Sequence, residues 1–412
     1  MITRYTHPKI SEVWSEDYKL SLWLEIEILA CMGWERLGKV PMGSSTPLLD
    51  LTVSSLNKDR LQAIEKEVKH EFLAFLTLIN EMTPIESNRH YHRGLTSSDV
   101  LDTTFALQLK RAGTLILKEM EELIDNLKYK AFEHKNTVMM GRTHGMYGEP
   151  TTFGLVMAGH YMEWTRNYDR LASAIEEISY GKLSGPMGNY TVIDPQVEEF
   201  VCRRLDLKPE AVSTQVIPRD RHAVFFSTLG IIGSSIERLA LEIRNLQQSS
   251  VNEVSEAFSE GQKGSSAMPH KKNPISSENL CGIARLLRSY VMPSLENIPL
   301  WHERDMSHSS VERVIAPDAT HLAGYSIKRL SEVVKGLVVH KDVMYKHVEE
   351  AGDSYKTQSY LVQLTDKGMS REEAYKRIQE NNLEGLELEE VSLGVILRNT
   401  NIIFKRLAEW KI

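Results

Sequence analysis

Cysteine is scarce in this chain, with three among 412 residues. Cys31, Cys202 and Cys281 lie far apart and form no Cys-x-x-Cys pair. Disulfide frameworks and zinc knuckles need closely spaced cysteines, so we expect neither of them. The sequence therefore predicts a protein of a reducing compartment, with the cytoplasm as the default location.

A membrane-spanning run and an excess of positive charge are also missing. The longest nearly uncharged stretch, 223–236, is too short and too rich in serine and threonine to cross a bilayer. The first residues lack the apolar core of a secretion signal. The net charge of −7 disfavours a broad cationic surface for nucleic-acid phosphates. We expect no export, no membrane insertion and no nucleic-acid partner.

Proline is absent between Pro84 and Pro150, between Pro218 and Pro269, and after Pro317, so helices need not break there. Strand-like alternation is scarce, whereas apolar residues recur at helical steps of three and four. Three such stripes are Leu101, Phe105, Leu109, Ala112, Ile116, Leu123 and Leu127; Met157, Tyr161, Trp164, Tyr168, Leu171, Ile175 and Ile178; and Leu229, Ile232, Ile236, Leu239, Ile243 and Leu246. The sequence predicts an all-α fold with a central bundle of long helices.

These patterns also predict a domain organisation. We place an N-terminal helical domain at 1–93, the long-helix bundle at 94–340 and a C-terminal helical domain at 341–412. If the third stripe belongs to one helix from about 225 to 258, that helix is on the order of 50 Å long at 1.5 Å per residue. Such a rod needs neighbours to cover its apolar stripe.

Two glycine-containing segments have the composition of an anion site. In the loop 261–274, GQKGSSAMPHKKNP, glycines let backbone N–H groups approach a ligand, and Lys271 and Asn273 add donors. In 140–153, MGRTHGMYGEPTTF, His144 lies between glycines before a helix that Thr151 or Thr152 can cap. A solvated loop and a structural histidine explain the same residues.

Two further segments combine hydroxyls with charge. The run 90–99, HYHRGLTSSD, places hydroxyls and Asp99 at a helix start, where ordinary capping is the alternative. His90 and His92 lack the further ligands of a metal site. In 301–313, WHERDMSHSSVER, Arg304 and Arg313 could hold a phosphate or form surface ion pairs.

Taken in this order, the segments resemble the fumarase/aspartase superfamily. GSSAMPHKKNP is similar to its signature loop. His270 is typical of adenylosuccinate lyases and carboxymuconate cycloisomerases, whereas fumarases and aspartases usually have glycine there and argininosuccinate lyases glutamine. GRTHGMYGEPTTFG, STQVIPRDRH and WHERDMSHSSVER favour the adenylosuccinate lyase family.

The resemblance implies a helical three-domain subunit in a homotetramer, with three subunits contributing to each active site. It implies β-elimination of fumarate from adenylosuccinate, giving AMP, and from SAICAR, giving AICAR, without a metal or cofactor. Ser265 would be the general base and His144 the general acid. Lys271, Asn273 and loop N–H groups would hold the aci-carboxylate intermediate, and Lys263 would add to the positive field around Ser265.

The resemblance also implies supporting residues. His70 corresponds to the histidine beside the acid, and Glu278 to a residue that orients the catalytic histidine. Nucleotide or succinyl groups would be bound by Arg4, Tyr5, Lys69, Thr96, Ser97, Gln215, Arg304, Ser309 and Arg313, together with His70, Lys271 and Asn273. Glu71 joins this binding set, although the family usually has aspartate at this place. Arg93 and Lys272 are further departures from the usual pattern.

Two other readings stay open. A carboxymuconate cycloisomerase would share the signature loop, but its substrate lacks the phosphate that Arg304, Ser309 and Arg313 suit. A structural protein on the same scaffold would not need the complete set of Ser265, His144, Lys271 and Asn273.

Overall fold

The computed structural model describes residues 1–258, 261, 264–265, 267–384 and 386–409. Its helices are α1 (Pro8–Val13), α2 (Glu16–Arg36), α3 (Thr46–Leu49), α4 (Lys58–Val68), α5 (Glu71–Glu81), α6 (Ile85–Asn88), α7 (Ser97–Glu133), α8 (Phe153–Ile178), α9 (Pro195–Arg204), α10 (Asp220–Leu246), α11 (Ile275–Ser289), α12 (Val291–Glu296), α13 (Ser307–Gly336), α14 (Lys341–Glu350), α15 (Thr357–Asp366), α16 (Arg371–Gln379), α17 (Leu393–Leu397) and α18 (Thr400–Glu409). The predicted all-α class is confirmed.

The strands are few and short, and they pair in twos. An antiparallel hairpin joins β1 (Val138–Thr143) to β2 (Met146–Thr152). β3 (Tyr180–Gly181) pairs in parallel with β4 (Lys208–Pro209), and β5 (Val254–Ser255) pairs antiparallel with β6 (Val338–Val339). Short 3-10 helices span Thr3–Tyr5, Val53–Ser55 and Gly352–Lys356.

The three apolar stripes lie on α7, α8 and α10, and their residues are mostly buried. The predicted extension of the third helix to 258 is wrong, because α10 ends at Leu246. The chain then turns back through Asn252, whose φ is +49°, and the Glu253 N–H donates to the Leu246 carbonyl at 2.8 Å. At 1.5 Å per residue α10 is about 40 Å long.

α10 is long and apolar enough, by composition, to cross a membrane. However, 61% of its most apolar window is buried inside the protein. The core helix of a globular protein has the same properties, so this helix is weak evidence for a membrane span.

The chain divides into two compact units. Unit 1 comprises Met1–Met120, Asn167–Ile236 and Gly282–Ile327, and unit 2 comprises Glu121–Arg166, Glu237–Cys281 and Lys328–Ile412. The division at 1–93, 94–340 and 341–412 stays a prediction.

Unit 1 has an aromatic centre in its apolar core. The ring of Trp23 in α2 meets those of Phe72 and Phe75 in α5 edge-on, with centroids 5.2 and 5.5 Å apart. All three side chains are buried. Edge-to-face aromatic pairs add stabilisation beyond the area they bury, so α2 and α5 are held firmly together.

In unit 2 an ion-pair cluster holds the β1–β2 hairpin close to its tip, where Arg142 pairs with Tyr147. Arg142 donates to both carboxylate oxygens of the fully buried Glu253, at 2.9 and 2.7 Å, and His347 of α14 approaches the same carboxylate at 2.6 Å. The Thr152 hydroxyl accepts from the Leu155 N–H at 3.1 Å, so the predicted capping of α8 is confirmed for Thr152.

Candidate active site

The predicted site residues fall into two groups. His144, Ser265, Lys271, Asn273 and Glu278 belong to unit 2. The others belong to unit 1: Arg4, Tyr5, Lys69, His70, Glu71, Thr96, Ser97, Gln215, Arg304, Ser309 and Arg313.

Ser265 lies in the signature loop, and its hydroxyl oxygen is an acceptor for backbone donors. The N–H groups of Ala267 and Met268 donate to its Oγ at 3.3 and 3.1 Å. Two donors aimed at one oxygen stabilise negative charge on that oxygen. The loop therefore provides an environment that favours negative charge on the Ser265 oxygen.

Close backbone contacts hold this loop folded. The Asn273 amide donates to the Gly264 carbonyl at 3.0 Å, and the Lys271 N–H donates to the Met268 carbonyl at 3.0 Å. A Cβ on Gly264 would lie 2.2 Å from the Lys271 carbonyl oxygen, so glycine is required there. Lys263, which the sequence suggested as a further cation, lies outside the described residues.

A buried carboxylate joins the end of the loop to α11. Glu256 accepts from the N–H groups of Ser276 and Ser277, at 3.2 and 2.7 Å, and from the Ser277 hydroxyl at 2.7 Å. A carboxylate is favoured at a helix N-terminus, where backbone N–H groups lack partners. Glu278 follows in the first turn of α11 with its side chain exposed.

His144 stands at the tip of the β1–β2 hairpin. Its φ is +55°, and Gly145 after it has φ +78°, so the turn holds the histidine in a backbone region that side chains rarely adopt. The ring is exposed and has no hydrogen-bond partner among the described residues. It is therefore available to a molecule that approaches the hairpin tip.

Unit 1 contains a cavity of about 420 Å³ beside α2, α7 and α13. Three of the predicted phosphate-binding residues, Arg304, Ser309 and Arg313, line it together with Glu71. Below we call it the unit 1 cavity. The structure thus brings these four predicted residues to one place.

Arg304 meets a second predicted residue, Gln215. Its Nη1 donates to the Gln215 amide oxygen at 2.9 Å, and its Nη2 lies 3.0 Å from the Met306 sulfur. The buried Nε has no partner in the described part of the chain. Within the described residues no carboxylate therefore accepts a hydrogen bond from Arg304, although its positive charge also lowers the pKa of Glu312, which burial raises.

Arg313 instead forms an ion pair with Glu71. Its Nη2 donates to Glu71 Oε2 at 3.0 Å, and Lys19 donates to the other oxygen, Oε1. Burial raises the pKa of the Glu71 carboxyl, but hydrogen bonds and charge from Lys19 and Arg313 outweigh it and hold the pKa below its ordinary value. Glu71 is therefore ionised at neutral pH.

Behind these groups lies a buried charge cluster that sequence reasoning missed. Arg219 donates to Asp102 at 2.6 and 2.9 Å and to Glu312 at 2.9 and 3.2 Å. Burial raises the pKa of Asp102, but Arg219 lowers it to about 2; burial raises the pKa of Glu312 to about 7. Arg219 lies in the segment STQVIPRDRH, which the sequence analysis singled out. The sequence did not show that Asp102 and Glu312 are its partners.

The remaining predicted residues of unit 1 stand at helix ends. His70 caps α5, where its Nδ1 accepts from the Leu73 N–H at 3.3 Å, so a neutral ring carries its proton on Nε2. The Thr96 N–H donates to Asp99 at 2.7 Å at the start of α7, beside Ser97. Arg4 and Tyr5 lie in a short 3-10 helix, and Lys69 follows α4 with φ +55°.

The described residues contain no group of three or more His, Cys, Asp or Glu side chains arranged to hold a metal ion. His92 pairs with the buried Glu27, its Nδ1 2.7 Å from the carboxylate. That the reaction needs no metal stays a prediction.

The sequence of residues 4–287 matches the model of a lyase family, so the chain is a lyase. Adenylosuccinate lyase of Bacillus subtilis (strain 168) is 45% identical over 412 residues, which cover 100% of this chain and 95% of the relative. Adenylosuccinate lyase of Synechocystis sp. is 46% identical over 396 residues, 95% of this chain and 91% of the relative. The chain belongs to the adenylosuccinate lyase family.

Solved structures share the fold at lower identity. The 3-carboxy-cis,cis-muconate lactonizing enzyme from Pseudomonas putida aligns with a TM-score of 0.82 at 24% identity, over 91% of this chain and 85% of that chain. Fumarate lyase from Mesorhizobium sp. BNC1 aligns with a TM-score of 0.81 at 22% identity, over 99% and 93%. At these identities the likeness concerns the fold alone.

Proposed function

We propose that this lyase removes fumarate from adenylosuccinate, leaving AMP, and from SAICAR, leaving AICAR. The observation that carries the proposal is the full-length identity of 45% to adenylosuccinate lyase of Bacillus subtilis. The loop with two N–H donors on the Ser265 oxygen supports the acid–base part.

Proton removal by the general base is the difficult step of this reaction. The carbon acid beside the succinyl carboxylate is very weak, so Ser265 needs negative charge stabilised on its own oxygen before it can take the proton. The N–H groups of Ala267 and Met268, which donate to this oxygen, support that role. The electron pair left on carbon then moves into the neighbouring carboxylate as a doubly charged aci-carboxylate.

Fixed donors must hold that intermediate while the C–N bond breaks. Lys271 is exposed, and Asn273 uses its amide to hold the loop at Gly264, so we assign Lys271 to the developing charge and Asn273 to binding and loop geometry. His144 gives its proton to the departing nitrogen, and the electrons return to form the double bond of fumarate. In this scheme His70 supports the acid and Glu278 orients the catalytic histidine.

The nucleotide phosphate would bind at the unit 1 cavity. Arg304 has only neutral hydrogen-bond partners in the described residues. Ser309 and Arg313 lie in the first two turns of α13 and also line the cavity. A helix N-terminus and guanidinium groups both favour phosphate. A cycloisomerase acting on a phosphate-free carboxymuconate has no use for this set, which favours the nucleotide substrate.

We further propose a cytoplasmic homotetramer with active sites built from three subunits. A direct test mixes chains carrying His144→Ala with chains carrying Ser265→Ala. If the two residues act from different subunits, random mixed tetramers regain about a quarter of the sites under closed symmetry. Size-exclusion chromatography must show mixed tetramers, and persistent inactivity in them would mean that one subunit supplies both residues.

The activity itself is tested with purified full-length protein. Fumarate release is followed by ultraviolet absorbance with adenylosuccinate, SAICAR, argininosuccinate and aspartate as substrates. We expect release from the two succinylated purine nucleotides only. Release from argininosuccinate or aspartate instead would reassign the substrate, and no release from any would favour a structural protein.

A further inference from the structure

The Glu71 carboxylate occupies a position between two cations. Lys19 donates to one of its oxygens and Arg313 to the other, the latter at 3.0 Å. All three residues line the unit 1 cavity, and about a quarter of each of the Lys19 and Glu71 side chains is exposed. One small anion therefore already bridges two positive groups at the edge of this cavity.

A phosphate group would suit the same two cations. It presents several acceptor oxygens and a charge of about −1.5 to −2 at neutral pH, against −1 for a carboxylate. Arg313 is already assigned to the phosphate under the proposed function. Lys19 carries no assigned role, yet it binds the same carboxylate as Arg313 does.

We propose that Glu71 is an internal substitute for the substrate phosphate, and that the phosphate displaces it and takes Lys19 as an additional ligand. This inference rests on the proposed function. It makes Lys19 a binding residue and Glu71 a residue that sets nucleotide affinity by competing for the site.

The surroundings allow the exchange. Lys19 is held by the Trp23 ring, with its Nζ 5.1 Å from the centroid, so it stays in place when its carboxylate partner leaves. Glu71 is the first residue of α5, where a released carboxylate is favoured by the helix N-terminus and reaches water. Displacement therefore leaves no buried unpaired charge.

A purely structural role for the Glu71 pairs predicts a different behaviour. Partly exposed ion pairs contribute little to folding, because water screens them. If the pairs only supported the fold, removing the Glu71 charge would leave the affinity for AMP unchanged or reduce it. If Glu71 competes with phosphate, the same change increases that affinity.

The test measures binding of AMP and of adenosine to the full-length protein by calorimetry. Glu71→Gln is expected to bind AMP about two- to fivefold more tightly than wild type, the upper part of the range of weak ion pairs, with adenosine unaffected. Lys19→Met is expected to weaken AMP binding about tenfold or more, again with adenosine unaffected. Inorganic phosphate should compete with AMP in wild type and more strongly in Glu71→Gln.

Glu16→Gln is the matched control, because Glu16 lines the same cavity and the change in net charge is identical. We expect it to leave AMP affinity unchanged. If Glu16→Gln tightens AMP binding as much as Glu71→Gln, the effect is general electrostatics and the proposal is wrong. Unchanged or weaker AMP binding by Glu71→Gln, or by a second variant Glu71→Ala, overturns the competition.

The outcome also separates this inference from the function beneath it. If wild type releases fumarate from adenylosuccinate and prefers AMP to adenosine, but Lys19→Met binds AMP normally, only the inference about Lys19 fails. If wild type shows no preference for AMP over adenosine and releases no fumarate, the proposed function and the inference both fail.

Discussion

Replacing Ser265 by alanine separates a catalytic role from a structural one. The change removes the oxygen that accepts the N–H groups of Ala267 and Met268. Both donors lie in an exposed loop, so water replaces the lost acceptor and no buried polar group is left without a partner. The expected change in unfolding free energy is within about 0.5 kcal/mol, as for other surface substitutions.

The expected effect on turnover is far larger. A positioned base contributes a factor of about 10² to 10⁴, which corresponds to roughly 2.7 to 5.5 kcal/mol of activation free energy. AMP binding should remain close to wild type, because the nucleotide contacts assigned to Arg304 and Ser309 lie in unit 1 and Ser265 lies in unit 2. Ser265→Ala should therefore be folded, able to bind AMP and nearly inactive.

The assay combines fumarate release with thermal unfolding and AMP calorimetry on the same preparation. Ser249→Ala, another exposed serine of unit 2, is the control and should retain wild-type turnover. Turnover of Ser265→Ala within tenfold of wild type would remove this residue from the role of base. A large loss of folding stability would instead show that the loop depends on the hydroxyl structurally.

Three further outcomes concern stability. Because burial raises the pKa of Glu312 from 4.5 to about 7, the protonated carboxyl stabilises the fold at low pH, and this contribution is lost as pH rises from about 4.5 to 7; the melting temperature of Glu312→Gln should therefore fall less than that of wild type over this range. Thr152→Ala should lower the free energy of unfolding by about 1 kcal/mol in denaturant titrations. An unchanged free energy would mean that the Thr152 hydroxyl does not stabilise the start of α8. Arg219→Met should lower the free energy of unfolding by about 3–5 kcal/mol, since it leaves the buried Asp102 carboxylate without its partner. A smaller loss would mean that water reaches this carboxylate.

The long helices were predictable because their signal is local. The stripe from Met157 to Ile178 needs only the spacing of apolar residues, and α8 ends at Ile178 as the stripe does. The end of α10 depends on distant residues, since Glu253 turns into the protein to meet Arg142 and His347. Proline-free windows did not mark the extent of every helix, because α13 continues through Pro317.

The site residues were predictable as motifs but their partners were not. Arg313 and Glu71 are 242 positions apart, and no spacing rule links them. Sequence alone showed an arginine suited to phosphate, whereas the structure shows an arginine already bound to an acid. In the same way, Arg219 was visible in its segment without the two carboxylates that it joins.

The two arginines at the unit 1 cavity show why charge counts do not measure anion affinity. Arg304 and Arg313 carry the same charge, but Arg304 faces the neutral Gln215 while Arg313 faces Glu71. A phosphate bound at these two arginines as proposed would displace no carboxylate from Arg304, whereas at Arg313 it would gain only the difference between its own pairing and that of Glu71. If the phosphate binds here as proposed, Glu71 weakens binding by competing for Arg313, and affinity for the nucleotide can be changed at residue 71 while every cation stays in place.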